Sequence, residues 1–120
     1  MKLVPDALKG PSITGYGPGW IAINGEKVLS SIIIGANGHT PWNCSRFEDL
    51  QAPHFDQLVQ LEPELVIFGS GERVRFPHPA WLNALYARRI GVETMDTQAA
   101  CRTYNFLSAE GRKVVAAMLV

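Results

Sequence analysis

Neither sign of charge is in excess in this 120-residue sequence: Lys+Arg and Asp+Glu each number 11, for a formal net charge of zero. Sequence-independent nucleic-acid binding needs surplus basic charge to meet phosphates, so the balance argues against a nucleic-acid partner. It also leaves no polybasic tether for a membrane surface. Cysteine is scarce. Cys44 and Cys101 lie far apart and form no disulfide framework. Structural zinc sites use four Cys/His ligands in close pairs, whereas His39, His54 and His78 are scattered, so no metal or cofactor is expected. A site of Cys44, Cys101 and one histidine would need the fold to gather three distant positions. No run approaches the roughly 20 apolar residues of a transmembrane segment. The opening Met1-Lys2-Leu3-Val4-Pro5-Asp6 has neither a secretory apolar region nor an Arg/Ser-rich import pattern, so the cytoplasmic compartment is expected.

What is present suits one domain over 1–120, with 1–11 as a loose lead-in ending in Lys9-Gly10-Pro11. A hydrophobic fraction of 47% is that of a globular chain and excludes a disordered one. Residues 12–16 and 20–23 read as strands around the turn Gly17-Pro18-Gly19, and Asn24-Gly25 is a hairpin signal leading into a third strand over 27–34. Its run Ile32-Ile33-Ile34 is apolar on consecutive positions, so both faces should be covered. The segment 35–44 reads as loop, anchored by burial of Trp42. A helix over about 53–61 ends at Pro63, and Leu65-Val66-Ile67-Phe68 then reads as a buried central strand. His78-Pro79 opens a second helix closed by Gly91, residues 92–95 form a strand, and Asp96 caps a helix over 97–107. Gly111 breaks that helix. A closing strand follows over 113–119.

Gly69-Ser70-Gly71 is the best imitation of a ligand motif. It follows an apolar strand, with Glu93 and Asp96 placed as the ribose-binding acid of a dinucleotide fingerprint would be. Val74 stands where a third glycine should, and Arg73-Val74-Arg75-Phe76-Pro77 delays the helix whose N-terminus should meet the pyrophosphate. A strand-ending turn is the plainer reading. At least one of its glycines should have positive φ. Ser70 and Cys101 lie in no nucleophile elbow, so no catalytic residue is assigned. Cys101 falls on an alanine-rich helical face, as a core residue does, while Cys44 in its loop is expected to be the more accessible thiol. His54 and His78, beside prolines at helix starts, read as caps.

The densest polar cluster comprises Glu93, Asp96, Thr97, Arg102, Thr103, Asn105, Glu110 and Arg112. With Gly69, Ser70 and Gly71 it could line a polar pocket for an anion at a strand end. The plainer reading is a structural network in which Arg102 and Arg112 pair with Glu93 and Glu110. On that reading Arg102 is largely buried, its fork bonded at the 93–96 junction.

Several segments in order resemble one known family. They are Tyr16-Gly17-Pro18-Gly19-Trp20 with Ile23-Asn24-Gly25, Pro63-Glu64 leading into Val66-Ile67-Phe68-Gly69-Ser70-Gly71, Gly91-Val92-Glu93-Thr94-Met95-Asp96-Thr97, Ala99-Ala100-Cys101-Arg102-Thr103-Tyr104-Asn105, and Glu110-Gly111-Arg112. Together they are similar to the domain of unknown function 498 family, which includes the mitochondrial complex I assembly factor 3 and small bacterial and archaeal proteins. That family often has threonine where Ser70 stands, a change that keeps the hydroxyl. The resemblance implies an α/β layered sandwich: an N-terminal β-meander and a mixed central sheet flanked by helices, with the last strand antiparallel to the others. It implies no established enzymatic activity, and in the mitochondrial members a non-catalytic assembly role alongside a protein partner.

Three functions follow. The first is an assembly or biogenesis factor acting through protein–protein interaction, with Trp20, Trp42 and Trp81 as candidate contact residues, although a core position is the plainer reading of each. The second is a small-ligand (anion) binding domain. The third is an undetected enzyme using Cys101 or Ser70. A homodimer is compatible with all three.

Overall fold

The computed structural model describes residues 10–120, so most of the lead-in over 1–11 lies outside it. Strands β1 (Ile13–Gly17), β2 (Trp20–Ile23) and β3 (Glu26–Val28) form an antiparallel meander in the order β1-β2-β3. Asn24 and Gly25 between β2 and β3 both have positive φ, 50° and 91°, the turn whose twist matches its flanking strands. The expected third strand divides in two. β3 stops at Val28, and β4 (Ile32–Gly35) belongs to a second sheet. The segment expected as loop contains β5 (Gly38–Pro41), antiparallel to β4. Glycine and proline at its ends conceal it, and pairing with β4 overrides its own weak strand preference.

A turn of 3-10 helix (Phe47–Asp49) precedes α1 (Ala52–Asp56), which tightens into 3-10 geometry over Gln57–Leu61. Glu62 adopts the left-handed conformation, and Pro63 bars any continuation. Strand β6 (Leu65–Gly69) follows, then a 3-10 turn (Pro79–Leu82) running into α2 (Asn83–Ala87), β7 (Gly91–Met95), α3 (Thr97–Ala109) and β8 (Val114–Met118). Both histidines cap as expected. The Gln51 N–H donates to His54 Nδ1 at 3.0 Å, and the Ala80 N–H donates to His78 Nδ1 at 3.1 Å. Gly91 does not close α2: Arg89, with φ 59°, makes the left-handed turn, and Gly91 already opens β7.

The second sheet has the order β5-β4-β8-β6-β7. β6 pairs in parallel with both β7 and β8, while β4 runs antiparallel to β5 and β8. The mixed sheet is as implied, but its last strand is not the reversed one. β8 opposes β4 only. The 13-residue helix α3 carries the chain back to the start of the sheet, so β8 must run with β7 and β6.

Alternation along the sheet divides the core into two. Ile33, Val66, Phe68, Val115 and Ala117 face Trp42, Phe55, Leu58, Leu82 and Leu85 on the side of α1 and α2. Ile32, Ile34, Ile67, Ala116 and Met118 face α3 and the meander, against Ile13, Ile21, Ile23, Cys101 and Tyr104. Trp42 is buried as expected, its Nε1–H donating to the His54 carbonyl at 3.0 Å and its ring edge-on to Phe55 at 5.6 Å. Each fully buried aliphatic or aromatic side chain of this kind contributes about 1.5–3 kcal/mol, so covering both faces supplies the fold's main driving force.

Candidate functional site

The carboxyl ends of β6, β7 and β8 meet at one place, and Thr97 holds them together. Its Oγ1 accepts the Gly71 N–H at 2.9 Å and donates to the Leu119 carbonyl at 2.7 Å. The Thr97 N–H donates to the Gly71 carbonyl, and the Leu119 N–H to the Gly69 carbonyl, each at 2.9 Å. Gly69 is required by this convergence. A Cβ there would stand 2.9 Å from Met118 Cγ and 3.0 Å from Thr97 Oγ1. Gly71 has φ +104°, the positive value expected of one of the pair.

Ser70 is buried and closes the following loop. Its Oγ lies 2.7 Å from the Arg73 carbonyl and 3.2 Å from that of Met95, and accepts the Arg75 N–H at 3.0 Å. Arg75 in turn bonds Glu48 at 2.9 Å and covers the Phe47 ring at 4.1 Å. The loop thus holds Val74 and Phe76 outward, Phe76 with 74% of its surface exposed. Asp96 caps α3, its Oδ1 accepting the Ala99 N–H at 2.9 Å.

A cavity of about 150 Å³ opens above these residues. Gly71, Glu72, Thr97, Gln98 and Leu119 form its floor and wall, and the β1–β2 turn with Tyr16, Pro18 and Trp20 lies over it. The Trp20 indole packs against Gly17, where a Cβ would come within 2.5 Å of its Nε1, and Lys27 Nζ lies 4.4 Å from the ring centroid. Tyr16 and Trp20 were missing from the expected site. The Tyr-Gly-Pro-Gly-Trp run contained them, but only the packing of the two sheets brings that turn over the β6 end.

The expected polar cluster is divided. Gly69, Ser70, Gly71, Asp96 and Thr97 come together, and Gly71 and Thr97 line the cavity. Glu93 is exposed on β7, and Thr103 is half-buried on α3. Arg112 borders a separate concavity at the far end of α3 and pairs with Glu64 at 3.2 Å rather than with Glu110. Arg102 is exposed, which corrects the expectation of a buried fork at the 93–96 junction. Its Nη1 donates to the Tyr16 hydroxyl at 3.0 Å, a bond that raises its pKa further, because the outward face of α3 meets the rim of the meander there. Asn105 stitches the two units: its Oδ1 accepts the Ile13 N–H at 2.9 Å and its Nδ2 donates to the Ile13 carbonyl at 2.7 Å.

Cys101 is fully buried, and burial pushes its thiol up to about 12. Cys44 is the more accessible of the two thiols, as expected, but at 7% exposure against 0% it too is buried. It turns inward with its neighbour Trp42, its Sγ donates to the Arg46 carbonyl at 3.1 Å, and burial again raises its pKa. The Ser70 and Thr97 hydroxyls both donate to backbone carbonyls. Among the described residues no group of three His, Cys, Asp or Glu is placed to hold a metal ion, and no helix is long and apolar enough to cross a membrane.

Fold and site define a layered α/β domain with a small cleft at the carboxyl ends of its parallel strands. The chain belongs to the family described as "Protein of unknown function (DUF498/DUF598)", whose model matches residues 13–119. It is 34% identical over 109 residues to the Bos taurus protein named NADH dehydrogenase (ubiquinone) 1 alpha subcomplex assembly factor 3, a match covering 89% of this chain and 59% of that protein. The chain therefore spans less than two thirds of that relative. An uncharacterised Rhodobacter capsulatus protein is 34% identical over 107 residues, covering 89% of this chain and 82% of its own length. The crystal structure of a Bordetella parapertussis protein superposes with a TM-score of 0.86 at 40% identity, covering 91% of this chain and 94% of the other.

Proposed function

We propose that this chain is a non-catalytic assembly factor that acts by holding a protein partner during the building of a larger complex of the NADH dehydrogenase type, from the cytoplasmic side. The observation that carries this reading is the 34% identity, over 89% of the chain, to a relative named as such an assembly factor. The disposition of chemical groups agrees with it. The buried hydroxyls and thiols serve packing and loop closure, while Phe76, Phe106 and Tyr86 are large side chains left at the surface, with Phe106 64% exposed. Apolar and aromatic groups at a polar surface are what protein interfaces use as anchors. Deleting the encoding gene in the native host tests the role. Native gels of the membranes should show the NADH dehydrogenase reduced, with a smaller intermediate accumulating; full-sized complex at unchanged abundance would contradict it.

The second reading is a small-ligand site in the cavity beneath Tyr16 and Trp20, favoured by its position beyond the carboxyl ends of three parallel strands. Inorganic phosphate and sulfate are the anions to titrate. Chemical-shift changes confined to Gly71, Thr97 and Gln98 would support it, and none at millimolar anion would remove it.

A further inference from the structure

We propose that the outer edge of β7 accepts an added strand from a partner protein, an extended segment carrying Lys or Arg opposite Glu93. The two sheets have four edge strands, β1, β3, β5 and β7. β1 is bulged between Ile13 and Gly15, and Asn105 occupies both backbone groups of Ile13. β3 has three residues, two of them the charged Glu26 and Lys27. β5 ends at Pro41, which has no N–H to offer. Bulges, short length, charge and proline are the devices by which native sheets protect their edges. β7 has five residues in unbroken register with β6 from Gly91 to Met95, without proline or bulge, and no described strand lies beyond it.

The direction of its backbone groups follows from one bond. The Met95 carbonyl accepts the Ser70 N–H at 2.9 Å and so points inward. Backbone groups alternate sides along a strand, which turns Gly91 and Glu93 toward β6 as well. The N–H and C=O of Val92 and Thr94 therefore face outward. Four aligned groups are what strand addition uses for affinity, with side-chain pairing supplying the choice of partner.

Charge decides the occupant. The Glu93 side chain is exposed and takes part in none of the ion pairs among the described residues. In a dimer with β7 edges fully overlapped about a two-fold axis, Glu93 would lie opposite Glu93, a repulsive cross-strand pair. A basic residue at that position turns the same contact into attraction. The edge is thus biased against a second copy and toward a foreign basic strand. Its biological meaning rests on the protein-binding reading above.

The test titrates 15N-labelled protein with an acetylated five-residue peptide of alternating valine and threonine with lysine at its centre, beside the same peptide with glutamate there. Shifts should concentrate at Val92 and Thr94, and the lysine peptide should bind about fivefold more tightly. Glu93→Lys, at an exposed position, should reverse the order. Shifts elsewhere, equal affinities or no reversal would overturn the proposal, and so would concentration-dependent dimers competed by the peptide. Peptide binding with an unaffected host complex would sink the assembly role while leaving the edge intact; the converse would sink the edge alone.

Discussion

Asn105 grips Ile13 by both of its backbone groups, accepting the N–H at 2.9 Å and donating to the carbonyl at 2.7 Å across 92 positions of sequence. A single side chain on α3 thereby takes the place of a neighbouring strand along the edge of β1. With Tyr16 bonded to Arg102, it holds the meander against α3 and sets the β1–β2 turn over the end of β6.

Asn105→Ala leaves both groups of Ile13 without partners in a part-buried setting. Unsatisfied groups of this kind cost about 1–3 kcal/mol, which at this chain length lowers Tm by about 4 °C per kcal/mol. Thermal unfolding should show that loss, and an unchanged Tm would mean water replaces the clamp.

Arg102→Ala should behave differently despite lying on the same helix. Arg102 is exposed, so removing its solvent-screened bond to Tyr16 should leave stability nearly unchanged. A loss of several kcal/mol in denaturant titration would restore the buried ion-pair reading that the structure has displaced.

Ser70→Ala removes the group that closes the 71–75 loop while leaving the strand intact. Stability should fall by about 1–2 kcal/mol, and amide exchange at Arg75 should accelerate well beyond that global change. Exchange at Arg75 that tracks the global change alone would show the loop closes without the hydroxyl.

Neither thiol should react with a disulfide reagent in the native state at pH 7 to 8. Burial holds both pKa values up, and Cys101, at about 12, stays protonated throughout that range. Labelling should require opening of the fold, and local opening of the loop around Cys44 should let it react before Cys101, which waits for global unfolding. Rapid native labelling of Cys101 would make the nucleophile reading live again.

Glu64 titrates below its usual 4.5, held first by the Lys113 N–H and then by Arg112. A carboxylate depressed in the folded state adds stability above its unfolded pKa, and that stability is lost as pH falls through the folded value. Glu64→Gln should therefore leave wild type the more stable at pH 7, with the two acid limbs converging as pH falls from the usual 4.5 through the lower folded value. Curves separated equally at all pH values would assign the effect to packing.

Much of this was legible because it depended on short-range chemistry. Asp96 announces itself as a cap since one side chain and an N–H three residues on complete the motif, and Asn24-Gly25 needs only two residues to form its turn. The triple isoleucine showed a strand covered on both faces. What escaped depends on distant partners. β5 exists because β4 pairs with it, and Cys44 is buried because Trp42 draws its loop inward. Helical position alone could not say that Arg102 meets the meander rather than the sheet end. The candidate site was half legible for the same reason: Gly69, Ser70, Gly71, Asp96 and Thr97 are local to strand ends, whereas Tyr16 and Trp20 arrive by packing across two sheets.

Affinity purification of the tagged chain from its native host, followed by native mass spectrometry, identifies what the chain holds. For an assembly factor, stoichiometric recovery with subunits of an immature NADH dehydrogenase-type complex is expected, with loss of those subunits once assembly is complete. Recovery of the chain alone, carrying a small molecule in its cleft, would contradict it.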